Sequence, residues 1–125
     1  MGLLDGILGH GSTVDPKELE KRLNGVLIDG EQVQLAFKLI RDFFVFTQYR
    51  IIMVDIQGMT GSKVDYVSIP FKAVTRFSVE TAGTFDLDAE LKIWVSGTDQ
   101  PIQKTLKKGT DVRAIQRALA SGVLR

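Results

Sequence analysis

The sequence has no cysteine, no long apolar run and no excess of charge of one sign. Without a thiol, disulfides, thiolate metal sites and thiol catalysis are excluded. No run of 18 apolar residues occurs, so a membrane-spanning helix is not expected. The formal net charge is +1, from 16 Lys and Arg against 15 Asp and Glu. Because this balance creates no strong field, and no basic stripe with interleaved aromatic residues is present, we expect no nucleic-acid partner.

Histidine is almost as scarce, which limits catalysis. His10 is the one histidine, and it lies between two glycines near the N-terminus. A Ser-His-Asp apparatus or a zinc site would have to use this residue in a poorly fixed segment. We therefore predict a protein that is not an enzyme and has no catalytic residue, no metal ligand and no cofactor. The first residues lack the basic region of a secretory signal, so a cytoplasmic location is predicted.

The N-terminal residues are apolar on one side. Leu3, Leu4, Ile7 and Leu8 share one face of a helical wheel. Glycines interrupt this pattern, and each costs about 1 kcal/mol relative to alanine in a helix. We expect a helix here only when it docks on an apolar surface. The sequence predicts a separate apolar segment at residues 1–14 and a single domain at residues 15–125.

Two helices are predicted at the ends of that domain. Asp15 and Pro16 are good residues for a helix start, and Gly25 for its left-handed end. Near the C-terminus, Thr110 is the predicted cap and Gly122 the predicted stop. The apolar stripe of the second helix consists of Val112, Ile115 and Leu119.

Between these helices the sequence alternates with the period of β-strands. The links are too short for the crossovers of parallel strands, so the sheet is predicted to be antiparallel. We predict a mainly β fold, a seven-stranded bent sheet or partly open barrel plugged by the C-terminal helix. The predicted strands are Val33–Phe37, Phe43–Thr47, Arg50–Asp55, Val64–Ile69, Thr75–Val79, Leu87–Val95 and Ile102–Leu106.

Two stretches suggest ligand chemistry and are better explained by structure. Residues 55–63, DIQGMTGSK, resemble a phosphate-binding loop, but the glycine spacing is too short and a strand, not a helix, follows. This stretch is predicted to be a hairpin loop. Asp86, Asp88 and Glu90 occupy every second position of one strand, so their side chains lie on the same face. A straight strand holds these carboxylates too far apart to bind Ca²⁺ or Mg²⁺, and the pattern favours a solvated face.

Several short motifs follow one another in a recognisable order over nearly the whole chain. They are Asp29-Gly30-Glu31, Arg41-Asp42, Phe46-Thr47 with Arg50, residues 55–63, residues 68–71 (SIPF), and residues 80–83 (ETAG) with Asp86, Asp88, Glu90 and Leu91. In this order they resemble the bacterial pleckstrin-homology-like domains. This resemblance implies the fold, a bacterial source and a tendency to form ring-shaped homo-oligomers, and it supplies no settled catalytic or ligand-contacting residues.

Apolar residues on both faces of two strands indicate association. Phe43–Phe46 and Ile51–Val54 would leave a second apolar face that an N-terminal helix or another copy of the chain must cover. We predict a homo-oligomeric scaffold or binding module, with another protein as a further candidate partner. The residues predicted to carry association are Leu3, Leu4, Ile7, Leu8, Phe43, Phe44, Phe46, Ile52 and Val54.

Two alternatives concern lipids and anions. In the first, Leu3, Leu4, Ile7 and Leu8 insert into a membrane surface, although this segment carries no Lys or Arg. In the second, Lys63 and Arg50 contact an isolated anion.

Overall fold

Two antiparallel sheets and two helices account for the part of the chain that the computed structural model describes, which comprises residues 16–39, 42–59, 63–81 and 88–125. The first sheet has the strand order β1-β2-β3-β4 and the second β5-β6-β7. The seven predicted strands and the antiparallel pairing are confirmed, and the sheets do not close into a barrel. In chain order the elements are α1 (Pro16–Arg22), β1 (Val33–Lys38), β2 (Phe43–Thr47), β3 (Arg50–Gln57), β4 (Lys63–Pro70), a 3-10 turn (Phe71–Ala73), β5 (Val74–Glu80), β6 (Ala89–Val95), β7 (Ile102–Leu106) and α2 (Val112–Val123).

The main core lies between the two sheets and beneath α2. Because side chains alternate across a strand, Phe44 and Phe46 of β2 face this core while Phe43 and Val45 face the other side. Leu91 and Ile93 of β6 close the core from the second sheet, and both are fully buried. We call the core side of each sheet its inner face.

A second core covers the outer face of the first sheet. Leu19 of α1 and Leu23, just beyond that helix, are 1% and 0% exposed and pack on Phe43, Val45 and Ile52. The sequence left two candidates for this cover, an N-terminal helix and another copy of the chain. In the structure α1 takes this position, and Gly25 turns the chain after it with a φ of 94°.

The C-terminal helix starts and ends differently from the prediction. Asp111, not Thr110, is the N-cap, because its carboxylate accepts a hydrogen bond from the Ala114 amide at 3.1 Å. The predicted stop at Gly122 is also wrong, since the helix continues through Val123. A Cβ on Gly122 would lie 2.6 Å from atoms of the Phe71 ring, so this glycine allows close packing. The predicted stripe is confirmed, with Ile115 and Leu119 buried.

The hairpin prediction for the glycine-containing loop is confirmed. β3 and β4 pair from Arg50 opposite Pro70 to Gln57 opposite Lys63. Gly58 leaves β3 with a φ of 80°, which favours glycine. The strand β4 therefore begins at Lys63, where a phosphate-binding loop would lead into the N-terminus of a helix. Among the described residues, no helix is long and apolar enough to cross a bilayer.

Candidate functional site

A buried ion pair fixes the segment after α1 to the first sheet. Arg50 donates from Nε to Oε2 and from Nη2 to Oε1 of Glu31, both at 2.8 Å, and the Glu31 side chain is fully buried. Thr47 donates from Oγ1 to Oε2, and the Ile28 amide donates to Oε1. The bonds from Arg50, followed by those from Thr47 and Ile28, lower the pKa of Glu31 from 4.5 to about 2, although burial alone would raise it.

This network shows where the two predicted anion contacts lie. The remaining donors of Arg50 bind the carbonyl of Val26 at 2.7 Å and Oγ of Ser68 at 2.8 Å. Arg50 begins β3, whereas Lys63 pairs with Gln57 at the other end of the same hairpin. At about 3.3 Å per residue their backbones are about 23 Å apart, so the two do not contact one anion. An anion contact by Lys63 alone stays a prediction.

A second polar cluster lies where the inner faces of the two sheets open to solvent. Asp42 of the first sheet accepts a hydrogen bond from Nζ of Lys104 in β7 at 3.2 Å. Asp55 lies beside Asp42 and directly opposite Asp65 in the β3–β4 pair. Asp42, Asp55 and Lys104 border a cavity of about 550 Å³. Burial, with Asp55 nearby, raises the pKa of Asp42 despite the opposing effect of Lys104.

The described carboxylates of the predicted acidic face accept hydrogen bonds from neighbouring groups. Asp88 accepts a hydrogen bond from the Lys108 amide at 3.0 Å, and Glu90 accepts one from Oγ1 of Thr105 at 3.0 Å. Asp86 lies outside the described residues. Within the described ranges, no group of three His, Cys, Asp or Glu residues is arranged to hold a metal ion.

The predicted association residues divide into two groups. Phe43, Phe44, Phe46, Ile52 and Val54 are at most 5% exposed and belong to the two cores of a single chain. Leu3, Leu4, Ile7 and Leu8 lie outside the described residues. In this conformation the strand residues stabilise the domain, and an interface between copies would need other surfaces. Self-association itself stays a prediction.

One such surface is formed by the edge strands β4 and β5 of the two sheets, and we call it the slot. These strands are eight and seven residues long, and each pairs on one side only among the described strands. Val67 of β4 and Phe77 and Val79 of β5 pack against the main core but are only partly buried. The slot therefore combines unpaired strand edges with apolar side chains in partial contact with solvent.

A groove lies between the first sheet and α2. Its cavity measures about 330 Å³. Leu35, Phe46, Phe71 and Ala118 supply apolar lining, and Arg117 and Arg125 supply positive charge. Arg117 lies off the predicted apolar stripe of α2, and the sequence did not indicate a groove, because Leu35 and Phe46 are remote from this helix in sequence.

The comparisons with known proteins agree with this fold. A family model described as the bacterial PH domain matches residues 2–123. The chain belongs to the bacterial pleckstrin-homology domain family. The resemblance seen in the sequence is thereby confirmed.

Similar proteins include close relatives and solved structures. The Bacillus subtilis protein YjqA, described as uncharacterised, is 51% identical over 97% of this chain and 98% of its own length. A DUF1696 family protein with a pleckstrin-homology domain from Shewanella loihica has 52% identity and a TM-score of 0.82, over 92% of this chain and 99% of its own. A pleckstrin homology domain from Shewanella amazonensis has 53% identity and a TM-score of 0.80, over 99% and 100%.

Proposed function

We propose that this bacterial pleckstrin-homology domain is a non-catalytic binding module that assembles with copies of itself. The observation that carries the proposal is the slot along β4 and β5, where two long unpaired strand edges lie beside partly buried apolar residues. An unpaired edge is a template for a strand of another chain. Pairing of β4 in one copy with β5 in the next would be a head-to-tail contact, and such contacts close into rings when the rotation allows.

A non-catalytic role is supported by the chemistry of the described residues. Within the part of the chain that the structure describes, Glu31 and Arg50 neutralise each other in a saturated network, and Asp42 is paired with Lys104. Neither pair lies beside a histidine or cysteine nucleophile in those ranges. The membrane alternative rests on residues outside the described ranges, and it stays a prediction together with the cytoplasmic location.

Self-association is tested by the mass of the purified protein and of a slot variant. Light scattering after size exclusion is expected to give a multiple of 13.8 kDa for the wild-type chain. Replacing Val67 and Val79 together with lysine places charges in the slot and is expected to give a monomer. Ile28→Lys is the matched control, because Ile28 is 62% exposed at a different surface.

The result is decisive in both directions when folding is checked by circular dichroism. A wild-type monomer at tens of micromolar would overturn the proposal. A folded double variant that keeps the wild-type mass would show that the slot is not the interface.

A further inference from the structure

The groove beside α2 has an apolar floor and carries positive charge. Its apolar lining comes from the first sheet, the 3-10 turn and the helix, and the ring of Phe71 lies against Gly122. The volume of about 330 Å³ falls at the lower end of the range of about 300–1,000 Å³ that is usual for ligand pockets. The groove can therefore accept one or two apolar side chains but would not enclose a large ligand.

The charged side chains that line the groove are all positive. Arg117 and Arg125 are exposed, and none of the described residues that line the groove is Asp or Glu. Nε of Arg125 donates to the carbonyl of Ser121 at 3.0 Å, which holds this guanidinium near the end of α2. No hydrogen bond or ion pair within the described residues engages Arg117. Guanidinium groups bind carboxylates through paired hydrogen bonds, so the groove is complementary to a carboxylate.

A strand edge borders this groove, although the Val33 amide at the start of that strand already donates to Oε2 of Glu20 at 3.2 Å. β1 is the edge strand of its sheet and pairs only with β2 among the described strands. Its register shifts at Gln34, which has no partner between the pairs of Val33 with Thr47 and Leu35 with Phe46. Gln34 is exposed and lines the groove. An unpaired edge next to a pocket for a side chain is the arrangement by which extended peptides add a strand to a sheet.

We infer that this groove docks an extended, carboxylate-bearing peptide of a partner protein. The peptide lies along the β1 edge, places an apolar side chain on Leu35 and Phe71, and presents a carboxylate to Arg117. An extended peptide uses the strand edge, the apolar floor and the arginines together. β1 is at the opposite edge of the first sheet from β4, so pairing of copies through β4 and β5 leaves the β1 edge without a partner strand among the described strands. The inference does not require self-association.

The experiment selects peptides and then tests the groove. A display library of random decapeptides is panned against the full-length protein, and the selected peptides are expected to be enriched in Asp and Glu and to contain an apolar residue beside them. One selected peptide is labelled, and its binding is followed by fluorescence anisotropy. Arg117→Glu is expected to weaken binding at least about tenfold, corresponding to about 1.4 kcal/mol. Arg113→Glu is the matched control, because Arg113 is exposed on the same helix and does not line the groove.

A second variant tests the floor without changing charge. Ala118→Leu fills the groove in a helix that favours leucine, and it is expected to weaken peptide binding while the protein stays folded by circular dichroism. The inference would be overturned if the selected peptides lacked carboxylates. It would also be overturned if Arg117→Glu and Arg113→Glu weakened peptide binding equally.

The assembled mass separates this inference from the proposed self-association. Arg117→Glu is expected to leave the mass unchanged, and the Val67 and Val79 double variant is expected to bind the peptide as wild type does. If Arg117→Glu instead dissociates the assembly, the groove is a contact between copies, and the partner-peptide inference is wrong while self-association holds. If the wild-type protein is a monomer but binds the peptide, self-association alone fails.

Discussion

At the residue scale, the strongest interaction joins positions that are far apart in sequence. Glu31 and Arg50 are 19 residues apart, and they meet because the segment after α1 runs beside the β2–β3 hairpin. The sequence showed both residues within recognisable motifs. It did not show that they pair, since neither helical nor strand periodicity brings them together. An arginine interpreted as an anion contact is instead bound to the protein's own carboxylate.

This ion pair predicts a specific pH dependence of stability. The folded pKa of Glu31 is about 2 against an ordinary 4.5, which corresponds to about 3 kcal/mol. Because the folded pKa is depressed, this contribution is fully present above about pH 4.5 and is lost as the pH falls towards 2. Glu31→Gln should therefore be less stable than wild type by about 3 kcal/mol at pH 7, with the difference vanishing near pH 2.

Urea unfolding across this pH range measures the effect. Glu80→Gln is the control, because Glu80 is an exposed carboxylate at the end of β5. A difference between wild type and Glu31→Gln that stays constant from pH 7 to acid would contradict the assignment.

Gly122 provides a second prediction at this scale. Alanine is the better helix former by about 1 kcal/mol, so Gly122→Ala would stabilise a free helix. Here the added Cβ would lie 2.6 Å from the buried Phe71 ring, and overpacking costs about 1–3 kcal/mol. We expect Gly122→Ala to lower the melting temperature while Ser121→Ala, at the exposed neighbouring position, leaves it unchanged or raises it. An increase for both variants would show that the ring moves aside freely.

At the element scale, hydrophobic periodicity predicted the buried faces reliably. The residues that suggest where a helix starts and stops predicted its ends less well. The alternation in β6 predicted its inner face, and the stripe of Ile115 and Leu119 predicted the buried side of α2. These patterns follow from burial, which acts on every residue of an element. Caps and stops depend on one side chain each, and Asp111 and Thr110 are equally suitable by type. Geometry alone decided between them.

The functional surfaces were predicted less well than the elements. Phe43 and Ile52 carry an apolar pattern that has the same appearance whether a helix of the same chain or a second chain covers it. The structure places α1 on that face. The groove beside α2 is formed by elements that are remote in sequence. The slot is formed by two consecutive strands that become sheet edges only through the strand order of the two sheets. No local pattern in the sequence marks either surface.

The covering role of α1 leads to a stability prediction. Leu19 is 1% exposed and packs in the second core, and replacing a buried leucine by alanine costs about 2–5 kcal/mol. Leu19→Ala should lose stability within this range, measured by denaturant unfolding. Arg22→Ala changes an exposed residue of the same helix and should shift the free energy of unfolding by less than about 0.5 kcal/mol. Equal small effects would mean that α1 contributes little to the fold.

At the scale of the whole molecule, the two sheets are held together differently at their two ends. α2 packs on β5 and the 3-10 turn and closes one end of the main core. At the other end the inner faces separate, and Lys104 reaches from β7 to Asp42 across a cavity. Asp42 lies just before β2 and beside Asp55 of β3, which is opposite Asp65 of β4, so three carboxylates cluster at this end together with Lys104.

The crowding of carboxylates at the open end predicts how Asp42 titrates. Burial first, and Asp55 next to it, raise the pKa of Asp42, so its contribution to stability is greatest at acid pH and is lost as the pH rises through the raised value. Asp55→Asn removes a like charge, and the oxygen of the new amide can still accept hydrogen bonds. We expect the pKa of Asp42 to fall, measured by an NMR titration of its carboxyl carbon, and stability at pH 7 to rise by about 0.2–1 kcal/mol. Asp65→Asn is the control, because Asp65 lies one strand further from Asp42, and its effect on that pKa should be smaller. An unchanged Asp42 titration in Asp55→Asn would show that burial alone raises the pKa.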